Sequence, residues 1–224
     1  MSEDYLPCIE QDPSEPAAAA VIWLHGLGAN GHDFEPVPPA LGLPADLPVR
    51  FIFPHAPTMP VTLNMGFVMP AWYDIKSLDS ARGQDEEGIE RSAGQIRKLI
   101  ERERERGIPS ERIVVAGFSQ GGAMALHTGL RYPERLAGVM CLSAYLLLPD
   151  RLGAEASEAN QGLSIFQAHG SYDPVVQLAY GQRSRAALED AGYAVQWAEY
   201  PIEHSVSPEE IQDIGRWLTQ VLKA

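Results

Sequence analysis

The sequence predicts an α/β fold in which a doubly wound, mostly parallel sheet is flanked by helices, with no large cap domain. Three observations lead there. Short apolar runs rich in strand formers recur along the chain, bounded by Gly, Pro or polar residues. Amphipathic helical patterns separate those runs. The length of 224 residues, with 45% hydrophobic and 21% charged, suits one domain with a full core. Runs that are apolar throughout fit strands covered on both faces, as in parallel sheets, and strand–helix alternation joins them by right-handed crossovers.

Taken in order, residues 1–16 (MSEDYLPCIEQDPSEP) are acidic and lack the basic start and apolar stretch of a signal peptide, so they read as an N-terminal extension. Strands are expected at 18–24, 49–53, 113–118, 137–143, 163–168 and 194–200. A helix at 84–106 places Ile89, Ala93, Ile96, Leu99 and Ile100 on one face, with acids in its first turn and bases later; Gly107 and Pro109 end it. Its closing ERERER run reads as a solvated face with opposite charges three residues apart. Further helices are expected at 120–130, 177–191 and 207–222. The last opens with Ser207 as N-cap, Pro208 in the first turn and Glu210 three residues after the cap. One segment breaks the alternation. Residues 55–74 are Pro-, Met- and aromatic-rich and too broken for a single helix or strand, which marks 55–80 as an irregular excursion on the substrate side.

Charge and cysteines exclude several classes. A formal net charge of −13 argues against a nucleic-acid surface or an anionic membrane as main partner. The two cysteines, Cys8 and Cys141, are expected as free thiols, with no disulfide framework or zinc set. No window reaches the 18 apolar residues of a membrane span. The expectation is a soluble cytoplasmic protein without stable membrane insertion.

The chemistry starts at Gly117-Phe118-Ser119-Gln120-Gly121, a G-x-S-x-G between a strand and a helix. In that context a tight turn lifts the serine Oγ above the end of the sheet, and the glycines remove side chains that would collide. A nucleophilic serine needs a histidine base and an acid that orients it, in the chain order Ser, acid, His. His204 sits in a short loop after the last strand, where such a base belongs. His127 lies two turns along the serine's own helix, and His25 and His169 read as structural strand-end residues. Asp173, in the loop GSYDP after the preceding strand, is the favoured acid over Asp150; Glu203 is too close in sequence to His204 to face it. Two backbone N–H groups must stabilise the developing oxyanion: Gln120 at its helix N-terminus, and Leu27 in His25-Gly26-Leu27-Gly28 after the first core strand.

With these residues in hand, the chain resembles the carboxylesterase/acyl-protein thioesterase (phospholipase/carboxylesterase) family of α/β hydrolases. The stretches that carry the resemblance are VIWLHGLGANGHDF, FIFPHAPTMPVTLNMGFVMPAWYDI, VVAGFSQGGAMAL, AHGSYDPVV and EHSV, in the family's order and spanning nearly the whole chain from about Ala17. The resemblance implies the α/β-hydrolase fold, Ser119, Asp173 and His204 as triad, Leu27 and Gln120 as oxyanion donors, no cofactor, and often a homodimer. Ile202 departs from the Met or Gly common before the triad histidine, and Ala144 from a frequent Gly or Cys.

The resulting expectation is a serine carboxylesterase acting on short- to medium-chain acyl esters through an acyl-enzyme. An acyl-protein thioesterase or lysophospholipase is the alternative within the class, and a non-catalytic binding module the alternative outside it. The partner is a small acyl ester or thioester, without metal. Leu63, Met65 and Trp72 of the excursion, and Leu146 of the apolar run after the fourth core strand, are the expected substrate contacts. They favour acyl chains of several carbons, and the absence of a cation in either stretch disfavours anionic acyl groups.

Overall fold

The computed structural model describes residues 5–76 and 84–223. Nine strands are formed: β1 (Cys8–Gln11), β2 (Ala19–Leu24), β3 (Val49–Pro54), β4 (Thr58–Val61), β5 (Phe67–Pro70), β6 (Ile113–Phe118), β7 (Gly138–Leu142), β8 (Ile165–Gly170) and β9 (Val195–Tyr200) among the described residues. The helices are α1 (Glu86–Glu105), α2 (Gln120–Arg131), the short α3 (Leu152–Glu155), α4 (Leu178–Asp190) and α5 (Pro208–Lys223). Seven strands form one sheet in the order β1-β3-β2-β6-β7-β8-β9. All neighbours run parallel except β1, which pairs antiparallel with β3 from Cys8↔Pro54 to Gln11↔Phe51.

The central strands explain their own apolar sequences. Along β2, Ala20, Ile22 and Leu24 face one core with α1 and α2, while Ala19, Val21 and Trp23 face the other with α5. All six residues are buried, so neither face of this strand can be polar. From β2 the chain steps outward to β3, then returns to place β6 on the other side of β2. That reversal opens a crevice beyond the carboxyl ends of β2 and β6, where ligands of open α/β sheets bind.

Two segments differ from the sequence expectation. Residues 1–16 are not wholly an extension, because Cys8–Gln11 is the edge strand β1. Its sequence, CIEQ, has no apolar run. It is held by its ladder, by Cys8 and Ile9 packed against the two cores, and by Glu10, which accepts from Arg102 at 2.9 Å and Arg106 at 2.7 Å. The excursion is also more regular than its sequence suggests. Thr58–Val61 and Phe67–Pro70 pair antiparallel as a hairpin around a 3₁₀ turn at Thr62–Asn64, with Met65 at φ 55° and Gly66 at φ 77°. Proline at both Pro60 and Pro70 disguised it, since proline is tolerated in edge strands but breaks the pattern used to recognise them. Residues 77–80, the end of the expected excursion, lie outside the described residues.

Candidate active site

The turn from β6 into α2 is built by close approach. Ser119 has φ 54° and ψ −122°, a conformation that costs a non-glycine residue about 1–3 kcal/mol and persists only where the surroundings enforce it. The glycines around it are where backbones meet. A Cβ on Gly117 would lie 2.2 Å from the Gly121 carbonyl carbon and oxygen, and one on Gly121 would lie 2.3 Å from the Leu24 oxygen. A Cβ on Gly26 would sit 3.4 Å from that of Ser119, so the loop after β2 runs directly past the serine. The Ser119 N–H donates to Leu142 O at 2.8 Å, fixing the turn to the end of β7.

The structure brings the three expected residues together. The Ser119 hydroxyl donates to His204 Nε2 at 3.0 Å, and His204 Nδ1–H donates to Asp173 Oδ2 at 2.6 Å. Asp173 is buried and its other oxygen, Oδ1, accepts from the N–H groups of Val175 and Val176, both at 2.8 Å. Both carboxylate oxygens are thus occupied, and the side chain has one orientation available. The Phe118 ring lies 4.6 Å from the His204 ring. Asp150 is exposed in a 3₁₀ turn at Pro149–Arg151, on a different loop.

The remaining histidines have other work. His25 donates from Nδ1 to Gly26 O at 2.7 Å and accepts the Ala56 N–H on Nε2 at 3.1 Å, which defines a neutral tautomer. Burial holds its pKa below the usual histidine value. His169 donates from Nε2 to Val176 O at 2.7 Å, bracing the loop that carries Asp173, and burial lowers its pKa also. His127 is buried against Glu90 at 2.9 Å.

Leu27 and Gln120 flank Ser119 as expected, and among the described residues neither backbone N–H has a protein acceptor. The loop holding Leu27 is fastened by the hairpin, because Gly28 N–H donates to Pro70 O at 2.8 Å. The side chain of Gln120 does something the sequence did not suggest. Its Oε1 accepts the Trp72 N–H at 2.8 Å and its Nε2 donates to Tyr73 O at 2.7 Å. Trp72 in turn donates from Nε1 to His25 O at 2.9 Å. These bonds tie the helix start, the excursion and the loop after β2 into one unit.

A cavity of about 360 Å³ opens at Ser119, within the size range of small-ligand sites. Its walls include Leu63, Tyr73, Ile75, Phe118, Tyr145 and Val175. No Lys or Arg lines it among the described residues; Asp33 is its one carboxylate. Of the four expected substrate contacts, Leu63 alone reaches this wall. Trp72 is fully buried beneath it, spending its ring N–H on His25 O. Met65 lies at the hairpin turn with φ 55°, 87% exposed, and does not line the cavity. Leu146 is buried against a separate, smaller cavity. Sequence reasoning missed Tyr73, Ile75, Phe118, Val175 and Val176; it put the apolar stretch 145–148 at the active-site edge, but chose Leu146 rather than Tyr145 as the contact. Phe118 and Val175-Val176 adjoin recognised motif residues, so nearness to Ser119 and Asp173 was an available signal; the others required the fold.

Near this site α5 begins. Ser207 Oγ accepts the Glu210 N–H at 3.1 Å, the cap expected from the sequence. The Glu210 side chain is buried, and desolvation pushes its carboxyl up to about 8. Among the described residues no helix is long and apolar enough to cross a membrane, and no group of three or more metal-ligating side chains is present.

Known proteins resemble this chain over nearly its full length. The family model described as Phospholipase/Carboxylesterase matches residues 8–222. An acyl-protein thioesterase 1 of Mycosarcoma maydis is 43% identical over 223 residues, covering 92% of each chain. The acyl-protein thioesterase 1 of Neurospora crassa is 42% identical, over 91% of this chain and 87% of that protein. Among solved structures, Zea mays acyl-protein thioesterase 2 superposes with a TM-score of 0.86 at 31% identity, over 97% of this chain and 100% of its own.

Proposed function

Because the chain belongs to the phospholipase/carboxylesterase family, whose α/β-hydrolase fold it shares, and is an ester or thioester hydrolase, we propose that it removes thioester-linked acyl groups from proteins by a Ser119–His204–Asp173 triad. The observation that carries the reading is the continuous hydrogen-bonded path from Ser119 Oγ through His204 to Asp173, at the mouth of an apolar cavity. His204 takes the Ser119 proton on Nε2 as Oγ attacks the acyl carbonyl. The Leu27 and Gln120 N–H groups receive the oxyanion. The C–S bond then breaks, His204 protonates the departing thiolate, and the acyl group remains on Ser119. Water, deprotonated by His204, attacks this ester; His204 then returns the proton to Ser119 Oγ as the Oγ–acyl bond breaks and the carboxylic acid leaves. Asp173 holds His204 in the tautomer with the proton on Nδ1 throughout.

The sequence alone ranked a small-ester carboxylesterase first. Relatives more than 40% identical that are named acyl-protein thioesterases reverse that order in favour of thioesters. The apolar, cation-free wall supports a neutral acyl chain of several carbons and counts against holding a phosphate beside the scissile bond. The test pairs an S-acylated cysteine peptide with the matched O-acyl serine peptide, both carrying one acyl group. We expect the higher kcat/KM on the thioester and covalent labelling of Ser119 by a fluorophosphonate. A tenfold preference for the oxygen ester would restore the carboxylesterase reading, and failure to label would favour a non-catalytic scaffold.

A further inference from the structure

Behind the wall of the main cavity lies a second one of about 140 Å³. Leu146 and Pro149, after β7, form one side of it; Tyr180, Ser184 and Ala187 of α4 form the other. Tyr145 is the one described residue that lines both cavities. Tyr145 is therefore the residue shared between the space at Ser119 and the space beside α4.

Tyr145 is held from several sides. The Tyr145 hydroxyl lies 3.3 Å from that of Tyr73, itself buried in the core. Its ring stands 6.2 Å from the Tyr180 ring. The next backbone N–H, of Leu146, donates to Ser184 Oγ at 2.7 Å, which anchors the segment to α4. Burial raises the pKa of both hydroxyls of the Tyr73–Tyr145 pair, so the pair is neutral at physiological pH and adds no charge to the apolar wall. An acyl chain that follows this wall away from Ser119 meets an aromatic ring that its neighbours keep in place.

The geometry points to Tyr145 as the residue that sets the acyl-chain limit, with the cavity under α4 as a latent extension of the acyl site. This rests on the acyl-hydrolase reading above. Chain-length selection of this kind is steric: each methylene that finds apolar cover raises kcat/KM by a factor of roughly four, and each that is refused forfeits it. The extension is suited to methylenes, since Leu146, Pro149, Ala187 and the Tyr180 ring supply most of its lining. Its one charged residue, Arg183, is exposed, with its guanidinium 4.6 Å from the Tyr180 ring centroid.

The experiment is a series of p-nitrophenyl esters from butyryl to dodecanoyl, assayed with the full chain and five variants. In the parent, kcat/KM should climb to a medium-chain maximum and then fall. Tyr145→Ala should move that maximum at least two carbons longer and raise the decanoyl-to-hexanoyl ratio about tenfold or more. Tyr145→Leu, which keeps an apolar side chain in the wall, should shift it the same way by less and stands in if the alanine variant does not fold. Ala187→Phe, which fills the second cavity, should remove the gain when combined with either change and should not lengthen the preference alone. The proposal is overturned if both Tyr145 variants turn over hexanoyl esters with the parent's length ratio. It is equally overturned if the longer preference survives Ala187→Phe, because the chain then leaves by another route. Failure of the hydrolase reading would look different: the parent itself would show no turnover of any ester and no fluorophosphonate labelling.

Discussion

The β6–α2 turn and the β4–β5 hairpin lie on two sides of one cavity, yet they tolerate sequence change on opposite terms. At the turn, Gly117 and Gly121 stand where any Cβ would enter a neighbouring backbone within 2.2–2.3 Å. At the hairpin, Gly66 faces open space, and Met65, Phe67 and Val68 are 87%, 63% and 68% exposed. The turn is specified by what already surrounds it, so its residue types have few alternatives. Apart from its inward anchors, such as Val61 and the Pro70 carbonyl that holds Gly28, the hairpin has few neighbours to dictate its sequence. Chemistry that needs fixed distances belongs on the first kind of element; selection among substrates can be built on the second.

The strongest way to break this contrast is at its centre. Ser119→Ala should lower kcat by roughly 10⁶-fold while leaving the thermal midpoint nearly unchanged, because a triad without its nucleophile keeps only oxyanion and binding contributions. Steady-state turnover and a melting curve on the same sample measure both; a variant retaining a tenth of the activity would remove Ser119 from the mechanism. Next comes the acid. Asp173→Asn should cost about 10⁴-fold in kcat, and Asp150→Asn less than about twofold. The reverse ranking would transfer the orienting role to the other loop.

Two smaller effects test the contrast as a matter of stability and coupling. Gly121→Ala should destabilise by about 3 kcal/mol or more, since the new methyl must displace the Leu24 and His25 carbonyls. Gly66→Ala should cost only about 1–2 kcal/mol, the penalty of a left-handed backbone at φ 77°. Urea midpoints compare the pair directly, and equal losses would mean that crowding at the turn is not what sets its sequence. Gln120→Ala keeps the backbone N–H but strands the buried N–H of Trp72. It should reduce kcat about tenfold, with KM changed by less than about twofold, as the loop bearing Leu27 loosens. An unchanged kcat would show that the turn and the excursion act independently.

The same contrast explains what could be read from the sequence. The buried strands of the sheet were evident because residues such as Val21, Ile22 and Trp23 are enclosed on both faces and must all be apolar. The residues proposed as the triad, Ser119, Asp173 and His204, could be singled out because each follows a strand end with Gly, Pro or an Asx-type turn nearby, features that local geometry demands. Strand β1 was hidden because only Cys8 and Ile9 of its four residues pack against the core, too short an apolar signal to read, while ion pairs to Glu10 and backbone pairing hold the rest. The cavity wall was hidden for another reason. Tyr73 and Tyr145 are 72 positions apart and meet only once the sheet is assembled. Trp72 shows the converse limit: an apolar residue in a substrate-side segment looks the same in sequence whether it faces the ligand or lies beneath it.

Glu210 ties the stability of the fold to pH. Its carboxyl, buried in the first turn of α5 six residues beyond His204, is pushed up to about 8 from an ordinary 4.5. An acid whose folded pKa is raised favours the native state most below about 4.5; that contribution shrinks as pH rises and is gone above about 8. The loss therefore accumulates through the neutral range, is complete by about pH 8, and belongs to the scaffold. Glu210→Gln, which cannot ionise, should flatten the decline in thermal midpoint between about pH 5 and pH 8, the window between the acid's unfolded and folded pKa, and an unaltered decline would assign it to other groups.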